Sequence, residues 1–368
     1  MRRLSPRAIR LQLSWINGPW FDRIALRWQR SSAPRSEPLD FFSLLNSVQR
    51  VLIAPNDRVG GLFLGAPICK LVRQSYPRAH IGLLVDRTKA VIARQIPFVD
   101  EVVTASLDKA PWTGAFKKSM GELKKRDLDL LLCLGRDCSL RLAHLCGASG
   151  ATLRVGFARA EIESFNIEVI GHNRDDYEVR QYLALLSAIG MEGDAKLRWS
   201  LASDNAEQVR TRFLDSGVAR DGVVGIDLAC GEGKGLARSQ WDDMVRRVVA
   251  SGARVLLFFS LAEKKTVNYL KETYGNRVIP FEQDDLLAAA ALLESCQALI
   301  ACNTELLHLA VSLQVPVVGI FAEKPERWVA ADNPAVRIVK VQDPRTVDIS
   351  HVVAGLDAAL GERRVVAK

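Results

Sequence analysis

The sequence predicts an α/β protein built from two doubly wound domains. Two observations carry this. Short apolar runs alternate with helix-period segments in two separate series, the first over residues 51–157 and the second over residues 222–321. The stretch ALIACNTELLHLAVSLQVPVVGIF, residues 298–321, reads as strand, polar turn, helix and strand, which is one βαβ unit of a parallel sheet. A length of 368 residues suits two domains rather than one.

The first series opens with an apolar strand at 51–54, followed by a loop to Gly61 and a helix closed by Tyr76-Pro77. Further strands are expected at 81–85, 101–104, 128–134 and 152–157, with helices at 89–95 and 137–146. The second series has strands at 223–228, 254–259, 277–279, 298–301 and 317–321. Helices are expected between them at 240–250, 263–274 and 286–295, with one leading helix at 204–216 and a closing helix at 350–360. The runs are continuous rather than alternating, as strands covered on both faces require. The expected organisation is an extension and linker at 1–48, domains at 49–195 and 196–345, and a closing helix and tail at 346–368.

Charge is concentrated at the front. Residues 1–35 hold eight arginines against Asp22 alone, which is +7 of the formal +8. The remaining body is close to neutral, which argues against a nucleic-acid-binding surface. Leu4, Ala8, Leu11 and Trp15, then Trp20, Ile24 and Trp28, recur at helical spacing with arginines beside them. Two basic amphipathic helices of this kind suit an anionic membrane surface, and they equally suit packing on the body or a partner subunit. Arginines interrupt the apolar residues, so the tail is not a secretory signal. No run of about 18 uncharged apolar residues marks a membrane span. Seven scattered cysteines without a Cys-x-x-Cys pair read as buried free thiols of a reducing cytoplasm, and their spacing argues against zinc.

The polar turn Cys302-Asn303-Thr304-Glu305 falls where a strand ends and a helix begins. Asn303 and Thr304 are suited to cap that helix and to hydrogen-bond an anion at its N-terminus.

Six segments, in order, resemble glycosyltransferase family 9, the heptosyltransferases of lipopolysaccharide core synthesis, over about residues 50–340. They are VLIAPNDRVGGLFLGAP, YPRAHIGLLVDRTKAVIARQIPFVDEVV, DLDLLLCLGRDCSLRLAHLCGASGATLRVGF, HNRDDYEVRQYLALLSAIG, EGKGLARSQWDDM and NTELLHLAVSLQVPVVGIF. The resemblance implies a GT-B fold, two Rossmann-like domains facing a cleft, with the basic extension added in front. It implies that Lys234, between Gly231, Gly233 and Gly235, holds the donor pyrophosphate, and that Thr304 bonds phosphate through its hydroxyl and backbone N–H. Glu263 matches an acid that binds the donor ribose, and equally reads as an acid stabilised at a helix N-terminus. His308 matches the motif histidine and is expected to pack and hydrogen-bond, with Asn303 beside it in the donor site.

The chain departs from the family pattern at three places. Gly61 stands where the family carries its catalytic aspartate, which leaves Asp57 as the acid of the front loop and the candidate base. Asn303 and Glu305 replace an aspartate and a glycine of the donor motif. Ala322-Glu323-Lys324-Pro325 replaces a Gly-Pro-Thr-Asp-Pro segment.

The expected function is therefore an inverting, metal-independent transfer of a sugar, heptose by resemblance, from a nucleotide-diphosphate donor such as ADP-heptose. The expected acceptor is a lipid-linked or core oligosaccharide. No cofactor is expected. The expected place is the cytoplasm, peripheral on the inner membrane. Two other readings stand beside it: a degenerate binding or scaffold protein that has lost turnover, and a transferase with another donor or acceptor.

Overall fold

The computed structural model describes residues 41–159, 164–170, 173, 175–194, 201, 207–209, 211, 222–229, 236–322 and 324–366. The helical readings of 1–35 and most of 204–216 lie outside the described residues. The chain divides into two compact units, residues 1–174 with 179–195, and residues 175–178 with 196–368.

The first unit begins with α1 (Phe41–Asn46) and β1 (Arg50–Ala54). Next come α2 (Gly61–Ser75), β2 (His80–Asp86), the short α3 (Ala90–Ala93), β3 (Glu101–Ala105), α4 (Gly114–Lys124) and β4 (Leu130–Cys133). The unit closes with α5 (Leu140–Gly147), β5 (Leu153–Phe157) and β6 (Ile167–Val169). The helix α6 (Glu178–Ser187) follows. The six strands form one parallel sheet in the order β3-β2-β1-β4-β5-β6.

The second unit holds β7 (Val223–Asp227), α7 (Arg238–Ala250), β8 (Arg254–Phe259), α8 (Lys264–Tyr274) and β9 (Val278–Glu282). It continues through α9 (Leu286–Leu293), β10 (Ala298–Cys302), α10 (Glu305–Ser312) and β11 (Val317–Phe321). The last elements are α11 (Pro325–Trp328), β12 (Val336–Lys340) and α12 (Ile349–Val366). Its parallel sheet runs β12-β11-β10-β7-β8-β9. Each sheet thus has the Rossmann order, with its first and fourth strands adjacent at the centre. At that junction the chain direction of winding reverses and the strand-end loops part, which opens a crevice at the carboxyl edge.

The cores explain why the runs were legible. Every residue of β4, β7, β10 and β11 is buried, because helices cover both faces. Truncating a fully buried side chain such as Ile300 to alanine should cost about 2–5 kcal/mol. The continuous runs do not extend to the edges. β12 carries the pattern VRIVK with alternate residues exposed, and β6 is three residues long, so neither stands out as an apolar segment.

The helix expected at 137–146 starts later, at Leu140. Ser139 caps it by accepting from Leu142 N at 3.1 Å, and residues 137–138 serve the preceding loop. Five cysteines, 69, 133, 138, 146 and 296, are free and buried as expected. Cys302 corrects the reading of uniformly free thiols: it ends β10 at the sheet rim and is disulfide-bonded. Among the described residues no helix is long and apolar enough to cross a membrane.

Candidate functional site

In the first unit the crevice lies between the loops after β1 and β4. Asn56, only 3 % exposed, follows β1 and ties the two loops together. Its Nδ2 donates to Asp137 Oδ1 at 2.8 Å, and its Oδ1 accepts from Arg58 N at 3.1 Å. An amide can do both, since it carries a donor and an acceptor, whereas a carboxylate in its place could only accept. Arg58 Nε donates to the Asp137 carbonyl at 3.1 Å. Two glycines make room for Asn56. A Cβ on Gly135 would stand 2.6 Å from Asn56 Cγ, and one on Gly61 would stand 2.0 Å from the Asn56 carbonyl oxygen. Gly60 caps α2 with φ of 73°, in the left-handed region that favours glycine.

Asp57 crosses the same crevice. Its Oδ1 accepts from Ser139 N at 2.8 Å, which fixes the carboxylate at the start of α5. It lines a cavity of about 290 Å³ at the carboxyl edge, together with Asp86, Thr88, Lys89, Leu107 and Asp108. The candidate base therefore sits in a pocket of the first unit rather than in open solvent.

The second unit repeats the arrangement at its own switch point. Asp227, the last residue of β7, is fully buried. Its Oδ2 accepts from Thr304 Oγ1 at 2.6 Å, across to the end of β10. Its Oδ1 accepts from Ala229 N at 3.1 Å and from Gln283 Nε2 at 3.2 Å. Burial pushes the Asp227 carboxyl up to about 6, against the pull of these donors, and the nearby charge of Glu263 adds to the rise.

Thr304 is the N-cap of α10, where its Oγ1 accepts from Leu307 N at 3.4 Å. Its backbone N–H donates to the Cys302 carbonyl at 2.8 Å. Both Thr304 donors assigned to phosphate by resemblance are thus engaged within the chain. Asn303 Oδ1 accepts from His308 Nε2 at 2.9 Å; His308 is 2 % exposed and meets the Trp328 ring edge-on at 6.1 Å. Glu263 accepts from Ser260 N at 2.9 Å and Ser260 Oγ at 2.7 Å, closing a capping box on the turn after β8. Asn303, Thr304, His308 and Glu263 therefore gather at the carboxyl edge of one sheet. Lys234 and its glycines lie outside the described residues.

Asp227, Asn56 and Asp137 were not singled out from the sequence. Asp227 had a signal: a carboxylate ending an otherwise apolar strand, VVGID, seldom sits in a buried position without a partner.

Two Rossmann-ordered parallel sheets in succession, each with polar side chains at its central crevice, are the architecture of GT-B glycosyltransferases. Solved structures bear this out. A glycosyl transferase family 9 protein from Veillonella parvula superimposes with a TM-score of 0.75 at 14 % identity, covering 85 % of this chain and 97 % of that one. The E. coli ADP-heptose lps heptosyltransferase II gives 0.70 at 16 % identity, with 86 % and 99 % covered. The E. coli heptosyltransferase WaaC, solved with ADP, gives 0.65 at 16 % identity, with 85 % and 99 % covered. No curated protein matches the sequence. The family model for glycosyltransferase family 9 (heptosyltransferase) matches residues 117–352, and the chain belongs to that family.

Proposed function

We propose that this chain is a heptosyltransferase-type enzyme. It transfers a sugar from a nucleotide-diphosphate donor, ADP-heptose or a close analogue, to a lipopolysaccharide core or related lipid-linked glycan. The family membership carries the reading, and the pocket around Asp57 supports its chemistry. In this account the second unit binds the donor at its carboxyl edge, with Lys234 opposing the pyrophosphate charge and Asn303, Glu263 and His308 shaping the site. The acceptor enters the pocket of the first unit. Asp57 takes the proton of the acceptor hydroxyl, and the oxygen attacks the anomeric carbon from the face opposite the leaving diphosphate. That displacement inverts the configuration. The charge left on the diphosphate is met by Lys234, so the step calls for no metal. The enzyme works at the cytoplasmic side of the inner membrane, with residues 1–35 on its anionic surface. The test is release of ADP from ADP-heptose in the presence of core acceptors; a wild-type protein that consumes no sugar nucleotide would overturn the reading.

A second reading is favoured by two specific observations. Gly61 has no room for the family's aspartate, and the Thr304 donors are engaged. A binding protein without turnover would retain ADP affinity and show no release.

A further inference from the structure

We infer that Asp227 is a positioning residue that withholds the Thr304 hydroxyl from a bound diphosphate and so sets donor affinity. The inference rests on the donor reading above.

A threonine hydroxyl has one proton to give. In this structure that proton goes to Asp227 Oδ2 at 2.6 Å, the length of a charge-assisted bond. The Thr304 backbone N–H is held by the Cys302 carbonyl. A phosphate oxygen offers only lone pairs, so a diphosphate arriving at this turn must find its donors elsewhere while Asp227 is ionised. Turning the hydroxyl toward a phosphate would strip Asp227 of its shortest bond and leave a fully buried carboxylate beside an anion, which is unfavourable on both counts.

The neighbours of Asp227 reinforce this. Thr304 faces it from the end of β10, Gln283 from the segment after β9, and Ala229 N from its own strand end. Among the described residues, the charged side chain that bears on it is Glu263, after β8, which repels it. Once Asp227 is protonated its own O–H can donate to Thr304 Oγ1, which releases the threonine proton to a phosphate. An asparagine at 227 does the same at every pH, since its Nδ2 donates to Oγ1.

The test is calorimetric titration of the full chain with ADP at about pH 5, where Asp227 is mostly protonated, and at about pH 8, where it is ionised. Protonation of ADP itself is common to wild type and variant and cancels in their ratio. Asp227→Asn is expected to bind ADP about tenfold tighter than wild type at the higher pH, one recovered hydrogen bond, with the ratio falling toward one at the lower pH. Adding Thr304→Val to Asp227→Asn should remove the gain. Equal or weaker binding by folded Asp227→Asn, or a gain that survives in the double variant, would overturn the inference while leaving the donor site standing. Should Asp227→Asn fail to fold, Thr304→Val alone decides: unchanged ADP affinity at about pH 8 supports the inference, and a tenfold loss overturns it. Absence of ADP binding in both folded wild type and Asp227→Asn at either pH would remove the donor reading and the inference together.

Discussion

Gly61 and Asn56 are packed so closely that a Cβ on Gly61 would stand 2.0 Å from the Asn56 carbonyl oxygen and 2.9 Å from the Asn56 Cβ. The position that the resemblance matches to the family's aspartate is thus closed to a side chain here without movement of the backbone. The cause is local: Asn56 is drawn inward to bond Asp137, and the loop folds over it. Gly61→Ala should destabilise the protein by about 1–3 kcal/mol, because backbone rather than a flexible side chain must move. Gly61→Asp should lower the melting temperature and raise turnover no higher than that of the wild type. A Gly61→Ala protein that melts with the wild type would show that the loop has room after all.

Asp227 makes stability depend on pH with a definite sign. The folded protein keeps the Asp227 proton up to about pH 6, whereas an unfolded chain loses it near an ordinary aspartate's 3.8. The contribution favours the fold below about pH 4 and is lost as pH rises through about 6, to the extent of about 3 kcal/mol. Asp227→Asn should therefore be more stable than wild type at about pH 8, with the advantage shrinking on acidification. Urea unfolding of both proteins across this range checks it; parallel pH profiles would contradict a raised Asp227.

Lys234→Ala should weaken ADP binding by about 1.5–3 kcal/mol, the loss of one charge-assisted bond. The melting temperature should stay near that of the wild type. ADP affinity unaltered by the substitution would remove Lys234 from the donor site.

Residues 1–35 should carry the membrane contact. The full chain should sediment with anionic vesicles, less so as salt rises and screens the arginines. A protein starting at Pro38 should stay in the supernatant. Equal sedimentation of the two proteins would place any lipid contact elsewhere.

The buried strands were readable because burial on both faces writes continuous apolar runs, as in Leu130–Cys133 and Val317–Phe321. The helix α4, GAFKKSMGELK, buries only three residues and was not foreseen; β12 and β6 are edge strands with weak patterns. At the sites, sequence reached the residues but not their partners. Thr304 was legible as a helix cap, yet its hydroxyl proton goes to a residue 77 positions earlier. Asp57 was legible as a turn acid, yet the N–H that holds it lies 82 positions later. Both bonds cross a switch point of a parallel sheet, and strand order is what local sequence does not encode.

The most direct test of the account is ADP release from ADP-heptose with a core-glycan acceptor, measured for wild type and Asp57→Asn side by side with ADP binding. Removal of a general base typically lowers turnover by about 10²–10⁴-fold. The expected result is turnover by the wild type, loss of that order in Asp57→Asn, and equal ADP affinity in both. Wild-type turnover by Asp57→Asn, or a wild type that binds ADP and releases none from any sugar nucleotide, would contradict it.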